Sequence, residues 1–341
     1  MRAAYPRMVL VMTETVLVTG GSGFAAGYIL REMLDRGFQV RTTIRSLRRA
    51  DTVKHRISGN IRFYEADLLQ DGGWDAAVDG VDYVVHTASP MPAGEFRGQD
   101  VIRPAREGTR RVLEAARRAG VRRVVLTSST AAAMPATPGT LADESVWTDL
   151  PDRPQYVYPR AKTLAEQDAW RLARAWPDGP ELVAVLPANI QGPALDGDYA
   201  PSVGLIRLML AGRMPVTPRM GYSVVDVRDL AVLHADAMTA PAAAGRRFIA
   251  SGEFLWLSDM ARILRERLGD RAAKVPRRTL PDWVVRTAAP FNAEMAQLAP
   301  SLGVRSRLSA AHAEAVLGWR TRPAADSITD AGRSLLDLNL V

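Results

Sequence analysis

Tyr158 and Lys162 stand four residues apart in Tyr158-Pro-Arg-Ala-Lys162. On a helix, positions i and i+4 share a face, so phenol and ammonium converge. A free tyrosine ionises near pH ~10. A neighbouring ammonium favours the phenolate and is expected to lower that pKa, toward general acid/base work near neutrality. With eight tyrosines and three lysines (Lys54, Lys162, Lys274) in 341 residues, chance supplies about 0.07 such pairs. Ser128-Ser129 close the apolar run Val124-Val-Leu-Thr127. In parallel sheets ligands sit beyond the strands' carboxyl ends, where a hydroxyl can hydrogen-bond a substrate carbonyl.

A second cluster lies near the start of the chain. Val18-Thr-Gly-Gly-Ser-Gly-Phe-Ala-Ala-Gly27 follows an apolar strand and opens a helical pattern. Gly20 permits the tight turn, and Gly23 lets backbone approach a pyrophosphate. Helix-start N–H groups favour the anion, and Ala26 allows close helix–sheet packing. The spacing is G-x-x-G-x-x-A rather than the G-x-G-x-x-G of many dehydrogenases. The second strand then ends Thr42-Thr-Ile-Arg45, with Arg48 and Arg49 close by and no acidic residue before Asp51. An acid there would select NAD; an arginine can pair with the 2′-phosphate of NADP. The expected cofactor is therefore NADP(H). Asp67, after the third strand, is a candidate for the adenine amino group.

These residues need a scaffold. Strands are expected at 16–19, 40–44, 61–64, 83–86, 121–127 and 182–186, with helices at 25–36, 105–119 and 159–176 between them. That alternation predicts βαβ units and an α/β, Rossmann-type doubly wound parallel sheet. From about residue 191 prolines and glycines break the pattern. Residues 224–230 lead into a helix, 247–250 form a further strand, and helical patches recur at 258–268, 309–317 and 325–337. The expected organisation is a leader over 1–13, a dinucleotide-binding domain over 14–190, and a smaller discontinuous substrate lobe over 191–341. Residues of about 222–252 are expected to return to the first domain.

Composition excludes several classes. There is no cysteine, hence no disulfide, thiolate nucleophile or Cys-ligated zinc. His55, His86, His234 and His312 lack ligand spacing, so no metal site is expected. The net charge is +7, but its arginine doublets are scattered, which favours solvated helix faces over a nucleic-acid groove. No apolar run reaches the ~18 residues of a spanning helix. The first twelve residues lack the long apolar core of a signal peptide. A cytoplasmic protein, monomeric or homodimeric, without nucleic-acid or membrane partners is expected.

Thr19-Gly-Gly-Ser-Gly-Phe24, Thr127-Ser-Ser129 and Tyr158-x-x-x-Lys162 together resemble the extended short-chain dehydrogenases/reductases. The chain looks most like their dihydroflavonol-4-reductase group and its microbial aldehyde and ketone reductase relatives. Val40-Arg-Thr-Thr-Ile-Arg45, His86-Thr-Ala-Ser-Pro90, Lys162-Thr-Leu-Ala-Glu166, Pro187-Ala-Asn-Ile-Gln-Gly-Pro193 and Val225-Asp-Val-Arg-Asp229 add to the likeness. It spans about residues 14–270. The resemblance implies that Ser129 orients a carbonyl, Tyr158 donates the proton, and Lys162 holds the nicotinamide ribose while tuning the tyrosine. It implies a cofactor set of Gly20, Ser22, Gly23, Phe24 and Ala25 in the turn, Arg45 and Arg48, Asp67 and Leu68, and Thr127. Thr87, Ala88 and Ser89 would line the pyrophosphate and ribose. Pro187, Ala188 and Ile190 would pack around the nicotinamide, and Ser202 adds a further contact.

The departures bear on substrate. The plant flavonoid reductases carry an asparagine five residues after the serine, where this chain has Met134. The Asn-Trp-Tyr signature of cinnamoyl-CoA reductases is replaced by Tyr156-Val-Tyr158. Met91, Pro92, Met134 and Tyr156 suggest an apolar wall suited to bulky aldehydes and ketones. The expected reaction is reversible, NADPH-dependent carbonyl reduction with Tyr158 as general acid. One alternative is an NAD-dependent nucleotide-sugar epimerase or dehydratase, although a dehydratase wants acids where Thr130 and Ala131 stand. Another is a protein that senses NADP without catalysis, although such proteins often lose the Tyr/Lys pair.

Overall fold

The computed structural model describes residues 13–90 and 98–341. Its main sheet contains β1 (Thr15–Thr19), β2 (Gln39–Ile44), β3 (Ile61–Glu65), β4 (Tyr83–His86), β5 (Arg123–Thr127) and β6 (Glu181–Pro187). The short β7 (Asn189–Gln191) and β8 (Gly221–Asp226) lie outside it, and β9 (Arg247–Ala250) completes it. The strand order is β3-β2-β1-β4-β5-β6-β9, with every pairing parallel. The order reverses between β1 and β4, which opens a crevice beyond their carboxyl ends.

The strands are short apolar runs because both sheet faces are covered. Alternate residues enter opposite cores. Val16 and Val18 face one core, with α1 (Phe24–Asp35) and α6 (Val227–Thr239). Leu17 and Val84 face the other, with α3 (Gly98–Arg118) and α4 (Val157–Ala175). Ala105, Ala161 and Ala165 cluster between α3 and α4, and their small side chains let the two helices approach closely.

The small helix α2 (Ala50–Ile57) follows β2. The later elements are α5 (Pro201–Leu210), β10 (Phe254–Trp256), α7 (Leu257–Leu268) and α8 (Ala324–Asp337). Two sequence expectations need adjustment. The helix expected from residue 105 begins at Gly98, about two turns earlier, with Pro104 inside it. Of the stretch 222–252, β9 joins the main sheet and α6 packs on it, whereas β8 pairs with β7 and β10 in a separate three-stranded sheet. Hydrophobic alternation marks a strand but does not say which sheet receives it.

Candidate active site

All the candidate positions after β1 to β6 fall at the sheet's carboxyl edge. The turn after β1 is held tightly. Gly20 has φ +72°, a region that favours glycine, and a Cβ there would lie 3.0 Å from Ala88 Cα. Its N–H donates to Thr43 Oγ1 at 3.2 Å, and Gly23 N–H donates to Gly20 O at 2.9 Å. Gly23 opens α1 with no side-chain cap. The first N–H groups of that helix, around Ser22, Phe24 and Ala25, are thus left to meet an anion. This is a cradle that a phosphate fits and that a larger side chain would fill.

Across the switch point, His86 and Thr87 tie β4 to β1. Thr19 Oγ1 lies 2.8 Å from His86 Nδ1 and accepts the Ala88 N–H at 3.1 Å, while Thr87 Oγ1 donates to Thr19 O. Burial, with Lys162 nearby, pushes the His86 pKa down to about 3 and keeps the ring neutral. Thr87, Ala88 and Ser89 line this edge half-buried.

Ser129, Tyr158 and Lys162 come together at the ends of β5 and the start of α4. A helical turn at Pro154–Tyr156 leads into α4, which places Tyr158 in its first turn. Pro159 is tolerated there because the N–H it lacks has no helical partner anyway. The Ser129 hydroxyl is near enough to Tyr158 to favour its ionised form. Ser129 Oγ also accepts the Ala131 N–H at 3.1 Å. Lys162 Nζ, one turn further on, donates to Thr127 O at 3.3 Å.

Burial pushes the Tyr158 phenol above its usual value, offset only in part by the Ser129 hydroxyl. The direction is opposite to the lowering expected from Lys162, because partial burial penalises the phenolate. The lysine itself pays for burial, its pKa falling to about 8 despite the charge of Glu166.

Behind these residues lies a layer that sequence reasoning missed. Glu166, one helical turn after Lys162, is 1% exposed. It accepts Ser128 Oγ at 2.6 Å, Trp170 Nε1 at 3.1 Å and Arg247 Nε at 2.7 Å. Arg247, from β9, donates also to the carbonyls of Glu144 and Val146, both at 2.8 Å, and stacks 3.8 Å over Trp147. On the other side of β5, Thr127 Oγ1 lies 2.8 Å from His234 Nε2, and His234 Nδ1 lies 2.8 Å from Leu230 O. The ring is buried and its pKa falls to about 4. A neutral ring donating from Nδ1 to Leu230 O and accepting the Thr127 hydroxyl satisfies both contacts. Glu166 carries one sequence signal, its spacing from Lys162; Arg247 and His234 carry none.

The β2 end is different in kind. Arg45 and Arg48 are exposed and, among the described residues, take part in no ion pair. Arg49 pairs with Asp198. Asp67 is half-buried and its Oδ1 accepts the Leu69 N–H at 2.8 Å, while Leu68 packs against Gly108. A further residue emerges here. Arg56, 6% exposed, donates to Gly21 O at 2.8 Å and Ser22 O at 3.2 Å, so it braces the glycine turn from behind.

Pro187 is buried at the end of β6, with Ala188 and Ile190 half-buried beyond it. Ser202 Oγ donates to Ile190 O, which fixes the start of α5 to this edge. Met134 is 42% exposed and Tyr156 half-buried. Met91 and Pro92 lie outside the described residues. Among the described residues no group of three His, Asp or Glu could hold a metal, and no helix is long and apolar enough to cross a membrane.

Comparison with known proteins adds the lineage. Residues 16–249 match the model of the NAD dependent epimerase/dehydratase family. Tetraketide alpha-pyrone reductase 2 of Arabidopsis thaliana is 34% identical over 269 residues, covering 74% of this chain and 82% of its own. Cinnamoyl-CoA reductase 2 of the same plant is 36% identical over 254 residues, covering 71% and 74%. An anthocyanidin reductase ((2S)-flavan-3-ol-forming) of Vitis vinifera is 31% identical over 277 residues, covering 74% and 81%. In fold, the chain is similar to yeast methylglyoxal/isovaleraldehyde reductase Gre2 complexed with NADPH, with a TM-score of 0.81 at 23% identity, covering 95% of this chain and 99% of that one. The parallel sheet, the glycine turn and the Ser/Tyr/Lys cluster agree with these matches, and the chain belongs to the NAD dependent epimerase/dehydratase family, the extended short-chain dehydrogenases/reductases.

Proposed function

We propose that this oxidoreductase reduces aldehydes or ketones to alcohols with NADPH. The observation that carries the reading is the grouping of Ser129, Tyr158 and Lys162, set at the carboxyl edge one crevice away from the Gly20–Gly23 cradle. The reductases among its relatives support the same chemistry. The fit of the cofactor rests on the uncapped start of α1, on Gly20, and on the exposed Arg45 and Arg48, which have no ion pair among the described residues. Gly20, Ser22, Gly23, Phe24 and Ala25 would receive the pyrophosphate, Arg45 and Arg48 the 2′-phosphate, and Asp67 the adenine. Thr87 to Ser89, Thr127, Pro187, Ala188, Ile190 and Ser202 would line the rest. When bound, NADPH supplies the hydride.

The chain's own residues do the remainder. Tyr158 enters the reaction as a neutral phenol, the form its burial favours, and gives its proton to the carbonyl oxygen. Ser129 donates a hydrogen bond to the same oxygen as charge develops on it. Lys162, held by Thr127 O, places a positive charge next to the phenolate that Tyr158 becomes. Met134 and Tyr156 would contact the substrate's apolar body.

The test is NADPH oxidation against a panel of aldehydes, ketones and dihydroflavonols, with NADH in parallel. Turnover on carbonyls with NADPH, and much less with NADH, is expected. A tightly retained NAD in the purified protein, with no carbonyl turned over, would point to sugar-nucleotide epimerisation instead.

A further inference from the structure

Residues 193–198 cross from the end of the small sheet toward α1 and α2. Each step is pinned. Pro193 O accepts the Tyr28 hydroxyl at 2.8 Å. Ala194 N–H donates to Ser334 Oγ at 2.7 Å, which anchors the segment to α8. The Leu195 side chain lies against Gly27 in α1, where an added Cβ would sit 3.2 Å away. Asp196 Oδ2 is 3.5 Å from Arg56 Nη1, the same guanidinium that holds the Gly21 and Ser22 carbonyls. Asp196 Oδ1 accepts the Asp198 N–H at 2.8 Å, and Asp198 reaches Arg49. One short segment of the C-terminal half is thus tied, through two acid–arginine pairs, to the pyrophosphate turn and to the arginines after β2.

We infer that 193–198 is a strap that retains NADP(H), with Asp196 and Asp198 as its positioning residues. The inference rests on the reading of this crevice as an NADP(H) site. Asp198 engages Arg49 and leaves Arg45 and Arg48 for the 2′-phosphate. Asp196 joins the strap to Arg56 and so to the turn that receives the pyrophosphate. The two pairs differ in exposure. Arg56 is almost fully buried, whereas Arg49 and Asp198 are each nearly half exposed. The outer pair is therefore the latch that opens first, and it is the one that salt screens.

NADPH release from the full chain, followed by its fluorescence after a chase with excess NADP⁺, tests this. Asp198 is exposed enough that Asp198→Asn folds normally, which a melting curve verifies. At low salt, Asp198→Asn is expected to release NADPH about two- to fivefold faster than the unmodified protein. Asp198→Glu restores slow release. The ratio of the two rates falls to about one near ~1 M salt, where the screening length is about 3 Å. Asp196→Asn gives an increase that persists at high salt, because its partner is buried. Unchanged release in Asp198→Asn and Asp196→Asn overturns the strap. Slower release in Asp198→Asn also overturns it, since Asp198 would then be competing with the 2′-phosphate for Arg49. Absence of NADPH binding to the unmodified protein overturns the cofactor reading and the strap together, and so is told apart from failure of the strap alone.

Discussion

The Ser129–Tyr158–Lys162 end of the crevice and its Arg45–Arg48 end hold charge in opposite ways. At the first, Lys162, Glu166 and Arg247 are each less than a tenth exposed, and every one has a hydrogen-bond partner. At the second, Arg45 and Arg48 are exposed and, among the described residues, have no counterion. A buried charge must be matched inside the protein, so its surroundings are fixed in advance and its loss is costly. An exposed charge is already solvated and can wait for an anionic ligand, at the cost of sensitivity to salt. Under the proposed function, the first end suits proton transfer with little reorganisation and the second suits recognition.

Four experiments would sharpen or break that contrast. The largest effect belongs to Tyr158→Phe, which should lower kcat by about 10²- to 10⁴-fold while NADPH affinity, read by fluorescence titration, stays put. Turnover near that of the unmodified enzyme would remove Tyr158 from the chemistry. Next is Glu166→Gln, which leaves Arg247 buried without its carboxylate. The expected loss is about 3–5 kcal/mol of folding stability, seen as a lower urea midpoint and insensitive to salt. A midpoint within error of the unmodified protein would show that the inner network is not a matched set.

At the other end, Arg45→Ala should raise KM for NADPH about 10- to 100-fold, the worth of a charge-assisted hydrogen bond, and leave KM for NADH unchanged. The penalty should shrink as salt rises. An equal rise for both cofactors would mean that Arg45 does not read the 2′-phosphate. The effect of pH is graded, starting from nothing below the lysine's pKa. With its pKa lowered to about 8, Lys162 loses its proton as pH rises through that value, so kcat/KM for reduction should fall about tenfold per unit above it. A profile flat to pH 10 would mean that the ammonium is not required in the free enzyme.

Much of this was legible because local rules and chemistry agreed. The glycines before α1, the strand-end Ser129 and the i, i+4 pair of Tyr158 and Lys162 each sit where a βαβ pattern delivers them to one edge. Sheet membership beyond residue 191 was less legible: β8 and β9 read alike as apolar runs, and only tertiary pairing sends them to different sheets. The inner layer was not legible at all. Arg56 and Arg247 are two among many arginines, and nothing local distinguishes a buried guanidinium from a solvated one. Arg247 meets Glu166 across 81 residues of chain. The raised direction of the Tyr158 shift was not legible for the same reason, since spacing reveals the nearby ammonium but not how far each group is buried.

The Arg247–Glu166 contact has a consequence for how the chain is made. On the ribosome, the glycine turn, Ser129, Tyr158 and Lys162 all emerge before residue 190, and six strands of the sheet could begin to assemble. Glu166 would then face the forming core with no guanidinium, because its counterion is still unsynthesised. The Ser129–Tyr158–Lys162 cluster therefore rests on a layer whose charges are matched only once β9 has been translated and added at the sheet's edge. A fragment ending near residue 190 would carry every residue of that cluster and still strand a buried carboxylate.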